Sequence, residues 1–463
     1  MENRWTLHIE EFGRIKEADV TVGPLTLFVG DNNSGKSYLM ALIYALLGLD
    51  FGPFDFMRPE NSFDLCRESP AYEKCMEWIQ AGIEAAKSKG AVQLPLSHDA
   101  LSSFKELLCA VLKKNWLLIS KLAFNEEISI GDISISFPDT YTPQYVFRYT
   151  EDSVRESPTF YLYVGGRDDH NVPSLKENDY QAGLWERFLR YLLGSLVRQD
   201  FRDSGLRDLT FLPTSRTGFL LTYRTLTGNA MDQMYQGGNL LYSDRLTRPC
   251  SDFLSALTWI SPENAGKKYV DLIRFMEKTM LEGRIVRTGP GPLASYVYRP
   301  SGQDTEIPMF LSSGVVTELT PLLLMLQYKP ALSTLFIEEP EMALHPALQK
   351  RMAQVLIRLC NTGTPVFATT HSDTILQHVN DMIMLSRQPE EQRRKLMETF
   401  YYEESDLIGA EDVSMYELTN LPDGSSSLHA CSAYEYGFEV PRFIDALDQM
   451  LNESRAFEPD PEA

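Results

Sequence analysis

A glycine-rich loop lies between an apolar strand and an apolar helix, and it constrains the fold of this 463-residue chain more than any other feature. Residues 30–37 read G-D-N-N-S-G-K-S, with an apolar run at 25–29 before them and an apolar stretch to about residue 47 after them. The backbone N–H groups of such a loop, together with the N-terminus of the next helix, can bind phosphate oxygens. This order predicts a phosphate-binding loop at the edge of an α/β sheet.

The residue types in this loop are those expected at a binding site for a nucleoside triphosphate. Gly30 and Gly35 allow the backbone angles and the close approach of the phosphates. Lys36 would reach the β- and γ-phosphates, and Ser37 would bind Mg²⁺. The predicted nucleotide contacts also include three further loop residues, Asn32, Asn33 and Ser34.

An apolar strand ending in carboxylates forms the second candidate segment. Residues 335–341 read L-F-I-E-E-P-E, which places acidic groups at the sheet edge where α/β proteins bind ligands. Glu338 would hold Mg²⁺, directly or through water, and Glu339 would orient and polarise the attacking water. Adjacent strand residues point to opposite faces, so each carboxylate can have its own role. A strand capped by surface carboxylates is the alternative, which the loop at 30–37 disfavours.

Two further segments complete the candidate site. His371 follows the next buried strand, at 366–369, and could donate a hydrogen bond to a γ-phosphate; a structural histidine is the alternative. Ser312, Ser313 and Gly314 precede the apolar helix 316–326. They could simply cap that helix. Alternatively, the same helix N-terminus could meet a γ-phosphate across a dimer interface.

Charge and composition limit the partners. The formal net charge is −21, which works against a broad electrostatic grip on DNA because duplex binding requires Lys and Arg. The cysteines at 66, 75, 109, 250, 360 and 431 lack metal-site spacing, so we expect thiols in a reducing cytosol. The apolar stretch 39–49 is too short to span a bilayer. These features predict a cytoplasmic protein without a membrane anchor.

The four segments, in this order, resemble those of ABC-type ATPases of the SMC/RecF/OLD group, in particular the compact ATPase subunits of prokaryotic anti-phage defence systems of the Septu or PARIS type. The resemblance implies ATP and Mg²⁺ as cofactors and Lys36, Glu339 and His371 as catalytic residues, His371 being the switch histidine. Ser312, Ser313 and Gly314 would be the signature motif, and residues 341–346 the D-loop region. It also implies a homodimer or higher homo-oligomer through the ATP sites, and a separate effector, a nuclease or toxin. Any nucleic-acid contact would be made through that complex.

The expected fold is an α/β ABC-type head, a mixed or parallel sheet with flanking helices and an antiparallel β subdomain, carrying an inserted α+β cap. Residues 1–50 and 206–390 would form the two parts of the core, 51–205 the cap, and 391–463 a C-terminal β-hairpin and helix. The pattern also predicts a strand at 382–385, strands at 413–418 and 427–430, and a helix at 440–452. The spacing from Lys36 to Glu339 is too short for a long coiled-coil arm.

The sequence departs from transport-type ABC ATPases at two motifs, and alternative functions stay open. Glu338 replaces the usual Asp of transport-type relatives, and the signature reads LSSGV instead of LSGGQ. A nuclease domain after His371 is not expected, because no D-x-D follows and Glu403, Glu404 and Asp406 suggest a solvated connector. The alternatives are a RecF-like repair ATPase that binds duplex DNA directly, an ATP-holding scaffold with little turnover and, least supported, a transporter subunit.

Overall fold

The computed structural model describes residues 4–48, 67–151, 158–164, 174–177, 186–198, 208–235, 246–261, 263, 265–289, 295–329, 332–440, 451–454 and 457. The strands are β1 (Thr6–Phe12), β2 (Ile15–Thr21), β3 (Leu25–Gly30), β4 (Ala91–Pro95), β5 (Asp132–Ser136), β6 (Gln144–Thr150), β7 (Thr159–Val164), β8 (Ser174–Lys176), β9 (Asp208–Leu212), β10 (Gly283–Thr288), β11 (Ser295–Pro300), β12 (Ile307–Pro308), β13 (Leu332–Glu338), β14 (Val366–Thr369), β15 (Val413–Asn420), β16 (Ser426–Ala430), β17 (Ala433–Tyr434) and β18 (Gly437–Phe438). The α-helices are α1 (Lys36–Leu47), α2 (Pro70–Lys89), α3 (His98–Lys114), α4 (Trp116–Phe124), α5 (Glu186–Arg198), α6 (Arg216–Tyr235), α7 (Arg248–Thr258), α8 (Val270–Met276), α9 (Gly314–Tyr328), α10 (Pro346–Asn361), α11 (Asp373–Ser386) and α12 (Glu390–Phe400).

A mixed sheet organises the molecule. Among the described residues it has nine strands in the order β5-β1-β2-β16-β15-β3-β14-β13-β9. The strands from β15 to β9 run parallel, whereas β5, β1 and β2 pair antiparallel with one another. The predicted α/β class, with a mixed sheet, flanking helices and antiparallel strands, is confirmed. The hairpin β1–β2 belongs to this sheet through β16.

The register of the parallel strands aligns their carboxyl ends. Phe28 lies beside Thr369, and Thr369 lies beside Glu338. On the other side of β3, Gly30 pairs with Leu418 of β15. The 30–37 loop, the acidic strand end and the segment leading to His371 therefore leave the sheet at the same edge, where α/β folds bind ligands.

The central strands are buried on both faces, as expected for parallel strands covered by helices. Phe28, Phe336 and Phe367 pack into the core that contains α1. The intervening residues Leu27 and Ile337 pack into a second core, with α9, α10 and α11. This alternation explains why the sequence of β3 is continuously apolar.

The segment between α1 and β9 contributes four α-helices and a sheet of the order β4-β6-β7-β8 in its described part. Its strand β5 adds to the edge of the main sheet through β1. Helix α4 packs against α1, the helix that begins in the 30–37 loop. The proposed domain boundaries at residues 50, 205 and 390 stay predictions.

Two local predictions are wrong. Residues 382–385 are the end of helix α11 and not a strand, because their apolar side chains fit the buried face of a helix. Asp406 is not in a solvated connector: it is buried and accepts two hydrogen bonds from the Arg358 guanidinium, at 2.7 and 3.1 Å.

The predicted C-terminal helix at 440–452 lies mostly outside the described residues; residues 451–454 are helical. Within the described part of the chain, no helix is long and apolar enough to cross a membrane. The described cysteines, Cys75, Cys109, Cys250, Cys360 and Cys431, carry free thiols, and Cys66 lies outside the described residues.

Candidate functional site

The backbone of the 30–37 loop has the conformation that its glycines were expected to allow. Gly30 has φ +114°, and a Cβ there would lie 2.1 Å from the carbonyl oxygen of Leu418, so only glycine fits. Gly35 has φ +101° and precedes the first residue of α1. Strand β15 holds the loop from outside, because Asn420 N donates to Asp31 Oδ2 at 2.8 Å. The loop is fixed in shape by its neighbours.

Lys36 lies inside this loop. Its Nζ donates to the carbonyl oxygens of Gly30 at 3.1 Å and Asp31 at 2.5 Å. Burial lowers the pKa of Lys36 to about 8, although the nearby carboxylates, Glu339 first among them, act in the opposite direction. The ammonium group is thus held where phosphate oxygens of a bound nucleotide would meet it.

The loop and the start of α1 suit an anion. No side chain caps the N-terminus of this 12-residue helix, so its first N–H groups face the loop. Ser37, in the first turn, is exposed, as are Asn32 and Asn33, whereas Ser34 is buried. The glycine cradle, the lysine and the open helix N-terminus together fit the phosphates of ATP, and the Ser37 hydroxyl fits one ligand position of Mg²⁺.

Glu338, the last residue of β13, is 7% exposed, and its Oε2 accepts the backbone N–H of Thr214 at 3.0 Å. Among the described residues no group of three or more His, Cys, Asp or Glu side chains could hold a metal ion by itself. One carboxylate with Ser37 is nevertheless typical of a Mg²⁺ site completed by phosphate oxygens and water. Glu338 therefore stays the candidate metal carboxylate.

Glu339 has a backbone conformation that the sequence did not predict. Its φ is +42°, in the left-handed region that residues other than glycine rarely occupy. The peptide is held on both sides: Glu339 N donates to Thr369 O at 2.9 Å, and Glu339 O accepts from Arg216 Nη2 at 3.1 Å. A non-glycine residue keeps such a conformation only when its surroundings impose it, and such positions cluster at functional sites.

His371 follows β14 and is solvent-exposed beside the loop. Partial burial of its imidazole and the positive charge of Lys36 lower its pKa. The backbone N–H of His371 donates to Glu341 Oε1 at 2.6 Å, and Thr370 Oγ1 donates to Glu341 Oε2 at 2.9 Å. Lys36, Glu339 and His371 thus lie together at one edge of the sheet.

The candidate signature residues lie at the N-terminus of α9. Ser313 caps α9 by accepting the Val316 N–H at 3.4 Å, and Ser312 Oγ donates to Pro308 O at 3.1 Å. Gly314 adjoins Ala343, since a Cβ on Gly314 would lie 3.5 Å from that residue's Cβ. Both Ser313 and Gly314 are exposed. The N-terminus of α9 is therefore presented outward.

Sequence reasoning missed Arg216, and it placed Glu341 in the D-loop region without its contact to His371. Arg216, 2% exposed, donates to the carbonyl oxygens of Glu338 and Glu339. Glu341 supports His371, as described above. The one signal for Arg216 was its position shortly after a buried strand.

Two models of ATPase families match the chain. The model described as "AAA domain, putative AbiEii toxin, Type IV TA system" matches residues 152–377. The model described as "AAA ATPase domain" matches residues 6–108. The first match spans the acidic strand end and His371, and the second spans the 30–37 loop. Residues 6–108 and 152–377 are therefore similar to ATPase domains of the AAA type.

Solved SMC head domains are similar over most of the chain, at low identity. An SMC head domain from Thermotoga maritima is 12% identical, with 93% of this chain and 99% of that chain covered and a TM-score of 0.34. A Pyrococcus furiosus Smc head domain with an extended coiled coil, bound to the C-terminal domain of ScpA, is 12% identical, with coverages of 98% and 100% and a TM-score of 0.35. An SmcHead bound to the C-winged helix domain of ScpA is 14% identical, with coverages of 92% and 97% and a TM-score of 0.36. At such TM-scores the likeness does not define the fold. No curated protein matches significantly.

Proposed function

We propose that this chain is an ABC/SMC-like ATPase that hydrolyses ATP with Mg²⁺ at two composite sites formed between two copies. The observation that carries the proposal is the position of Lys36, Glu339 and His371 at one sheet edge, while the N-terminus of α9 faces outward. The exposed N-terminus of α9 is free to meet the ATP of a second copy, and that copy would supply its own α9 in return.

The chemistry follows from the side chains. Lys36 would neutralise the β- and γ-phosphates, and the N–H groups of the loop would bind their oxygens. Glu338 and Ser37 would hold Mg²⁺, which supplies charge neutralisation at the phosphates when bound. Glu339 would accept a hydrogen bond from the attacking water and orient it. His371, whose pKa is lowered by partial burial and by the charge of Lys36, would donate one N–H to the γ-phosphate.

The surface beside the signature residues supports a face-to-face dimer. Phe310 and Leu311 directly precede Ser312 and are 72% and 68% exposed. Large apolar side chains exposed side by side are typical of surfaces that another protein covers. In the proposed dimer they would pack against the copy whose ATP contacts Ser313 and Gly314. Higher homo-oligomers could assemble from this dimer.

We further propose that ATP hydrolysis is a switch for a separate effector, a nuclease or toxin, in prokaryotic anti-phage defence. The description of the matching family as a putative AbiEii toxin of a type IV toxin–antitoxin system supports this role. The net charge of −21 favours a regulatory protein partner over direct binding of duplex DNA. ATP would close the dimer, hydrolysis would open it, and the effector would sense the difference.

The test uses a tagged Glu339→Gln variant expressed with the genes that neighbour its own, purified with and without ATP. One small protein in stoichiometric amount, whose nuclease or toxic activity changes with ATP, would support the regulatory role. Duplex DNA bound only with ATP and released by salt would replace it with the repair function. An intact ATP-bound assembly, with no phosphate release by the wild type, would indicate a scaffold.

A further inference from the structure

The turn formed by residues 213–217 connects three elements of the candidate site. Its Thr214 N–H binds the side chain of Glu338. Its Thr217 donates to Glu318 Oε1, from Oγ1 at 2.7 Å and from N at 3.4 Å. Glu318 belongs to α9, the helix that begins at the signature residues. The turn therefore joins the acidic strand end to the signature helix.

Arg216 occupies the centre of this turn. Its Nη1 donates to Glu338 O at 2.5 Å and Pro213 O at 3.4 Å, and its Nη2 donates to Glu339 O at 3.1 Å. The guanidinium thus binds the carbonyl groups of the two peptide bonds that flank the Cα of Glu339. Because Glu339 is in the left-handed region, loss of this support would let its backbone relax and would move its carboxylate.

The charge of Arg216 is balanced by Glu318. Nε of Arg216 and Oε2 of Glu318 are 3.0 Å apart, and both side chains are almost fully buried. These two atoms form an ion pair without the alignment of a hydrogen bond. Burial lowers the pKa of Arg216, but an arginine stays protonated in proteins, so the pair remains charged. A small shift of α9 would bring Arg216 Nε–H and Glu318 Oε2 into hydrogen-bond alignment or move them apart.

We propose that Arg216 is a positioning residue that couples the signature helix, through Glu318, to the backbone of Glu339 in the same subunit. The inference rests on the proposed function, in which α9 of one copy meets the ATP held by the other copy. Engagement of Ser313 and Gly314 at that ATP would move α9 and Glu318. Arg216 would transmit the movement to Glu339, so that each site turns over only when the other is filled.

Two substitutions test this link with little change of shape. Glu318→Gln keeps the oxygen that accepts from Thr217 but removes the charge that faces Arg216. Arg216→Lys keeps the charge but cannot reach both carbonyls and Glu318 together. The matched control is Arg358→Lys, because Arg358 forms a buried bidentate pair with Asp406 outside the candidate site. For each variant we would measure ATP affinity, thermal stability and steady-state turnover.

We expect Arg216→Lys and Glu318→Gln to lower kcat by about 10- to 100-fold, the range for a misplaced catalytic group. ATP affinity should stay within about twofold, because neither side chain belongs to the phosphate-binding loop. The double variant should lose no more than the worse single variant, since both changes break one connection. Arg358→Lys should lose comparable stability and keep its kcat.

The inference is overturned if Arg216→Lys and Glu318→Gln keep wild-type kcat, or if their losses multiply in the double variant. It is also overturned if Arg358→Lys loses as much kcat as Arg216→Lys at equal loss of stability, because the effect would then be general. If the wild type and the control show no ATP turnover at all, the proposed function itself fails, and the coupling fails with it.

Discussion

The carboxylate of Glu341 accepts the backbone N–H of His371 at 2.6 Å, which ties the segment after β13 to the segment after β14. Thr370 Oγ1 donates to the second carboxylate oxygen at 2.9 Å. Burial raises the pKa of Glu341, while these two donors act against the increase by favouring the charged form. The segment after β13, which contains the candidate D-loop region, and the candidate switch histidine are therefore held as one unit.

This relationship predicts the effect of removing Glu341. In Glu341→Ala the N–H of His371 loses its partner, so the histidine should leave its position and kcat should fall by about 10-fold or more. Glu341→Gln keeps an oxygen acceptor for one of the two donors and should lose less. Steady-state phosphate release compares the two variants. Equal activity of Glu341→Ala and the wild type would show that His371 needs no such support.

The pKa of Lys36, lowered by burial to about 8, predicts a pH dependence of ATP binding. Phosphates favour the charged ammonium, so the pKa of Lys36 is higher in the complex than in the free protein. Binding then takes up a proton above about pH 8, and ATP affinity should fall as pH rises, by at most about 10-fold per pH unit.

The control for this pH effect is Lys36→Arg, whose guanidinium stays charged throughout. Titrations with a fluorescent ATP analogue between about pH 7 and pH 9.5 should give a sloping wild-type profile and a flatter one for the variant. Identical slopes for the two proteins would assign the dependence to another group.

Gly30 is expected to be the least replaceable residue of the loop. In Gly30→Ala the new Cβ would overlap the carbonyl oxygen of Leu418, and φ is +114°. We expect a loss of about 3 kcal/mol in the free energy of unfolding, or more. Gly424→Ala is the control: its φ is +85°, no atom lies near the new Cβ, and the loss should be about 1–2 kcal/mol. Denaturant unfolding measures both, and equal losses would contradict the steric argument.

The exposed apolar pair beside the signature residues predicts the dimer surface. Phe310→Asp or Leu311→Asp, made in a Glu339→Gln background, should abolish ATP-dependent dimerisation, because a charge would be buried without a partner. ATP binding by the single subunit should not change. Tyr401→Asp, which replaces a side chain that is 87% exposed elsewhere, should still dimerise. Sedimentation measures the dimer in the presence of ATP. If the Phe310→Asp variant still forms a dimer, this surface is rejected.

The positions of the catalytic candidates could be predicted because they follow from strand order. Lys36, Glu339 and His371 each follow the carboxyl end of a buried apolar strand, and parallel strands bring such ends to one edge. The sequence pattern could not predict which residues far apart in the chain contact one another. The buried ion pair of Arg216 with Glu318 joins residues on two elements whose contact depends on tertiary packing.

Two errors have the same physical origin. Residues 382–385 are all apolar, and a short apolar run does not distinguish a strand from the buried face of a helix. Asp406 was expected in a solvated connector because acidic residues surround it, but Arg358 compensates its buried charge. Local composition could not reveal either packing partner.

The central claim is that Glu339 orients the water that attacks ATP, and phosphate release by Glu339→Gln tests it most directly. The glutamine is nearly isosteric and leaves the Lys36 loop intact, so the variant should bind Mg²⁺–ATP with wild-type affinity and release phosphate at least about 100-fold more slowly. Lys36→Ala, measured in parallel, should lose binding itself. Phosphate release by Glu339→Gln at the wild-type rate, with ATP bound normally, would contradict the account.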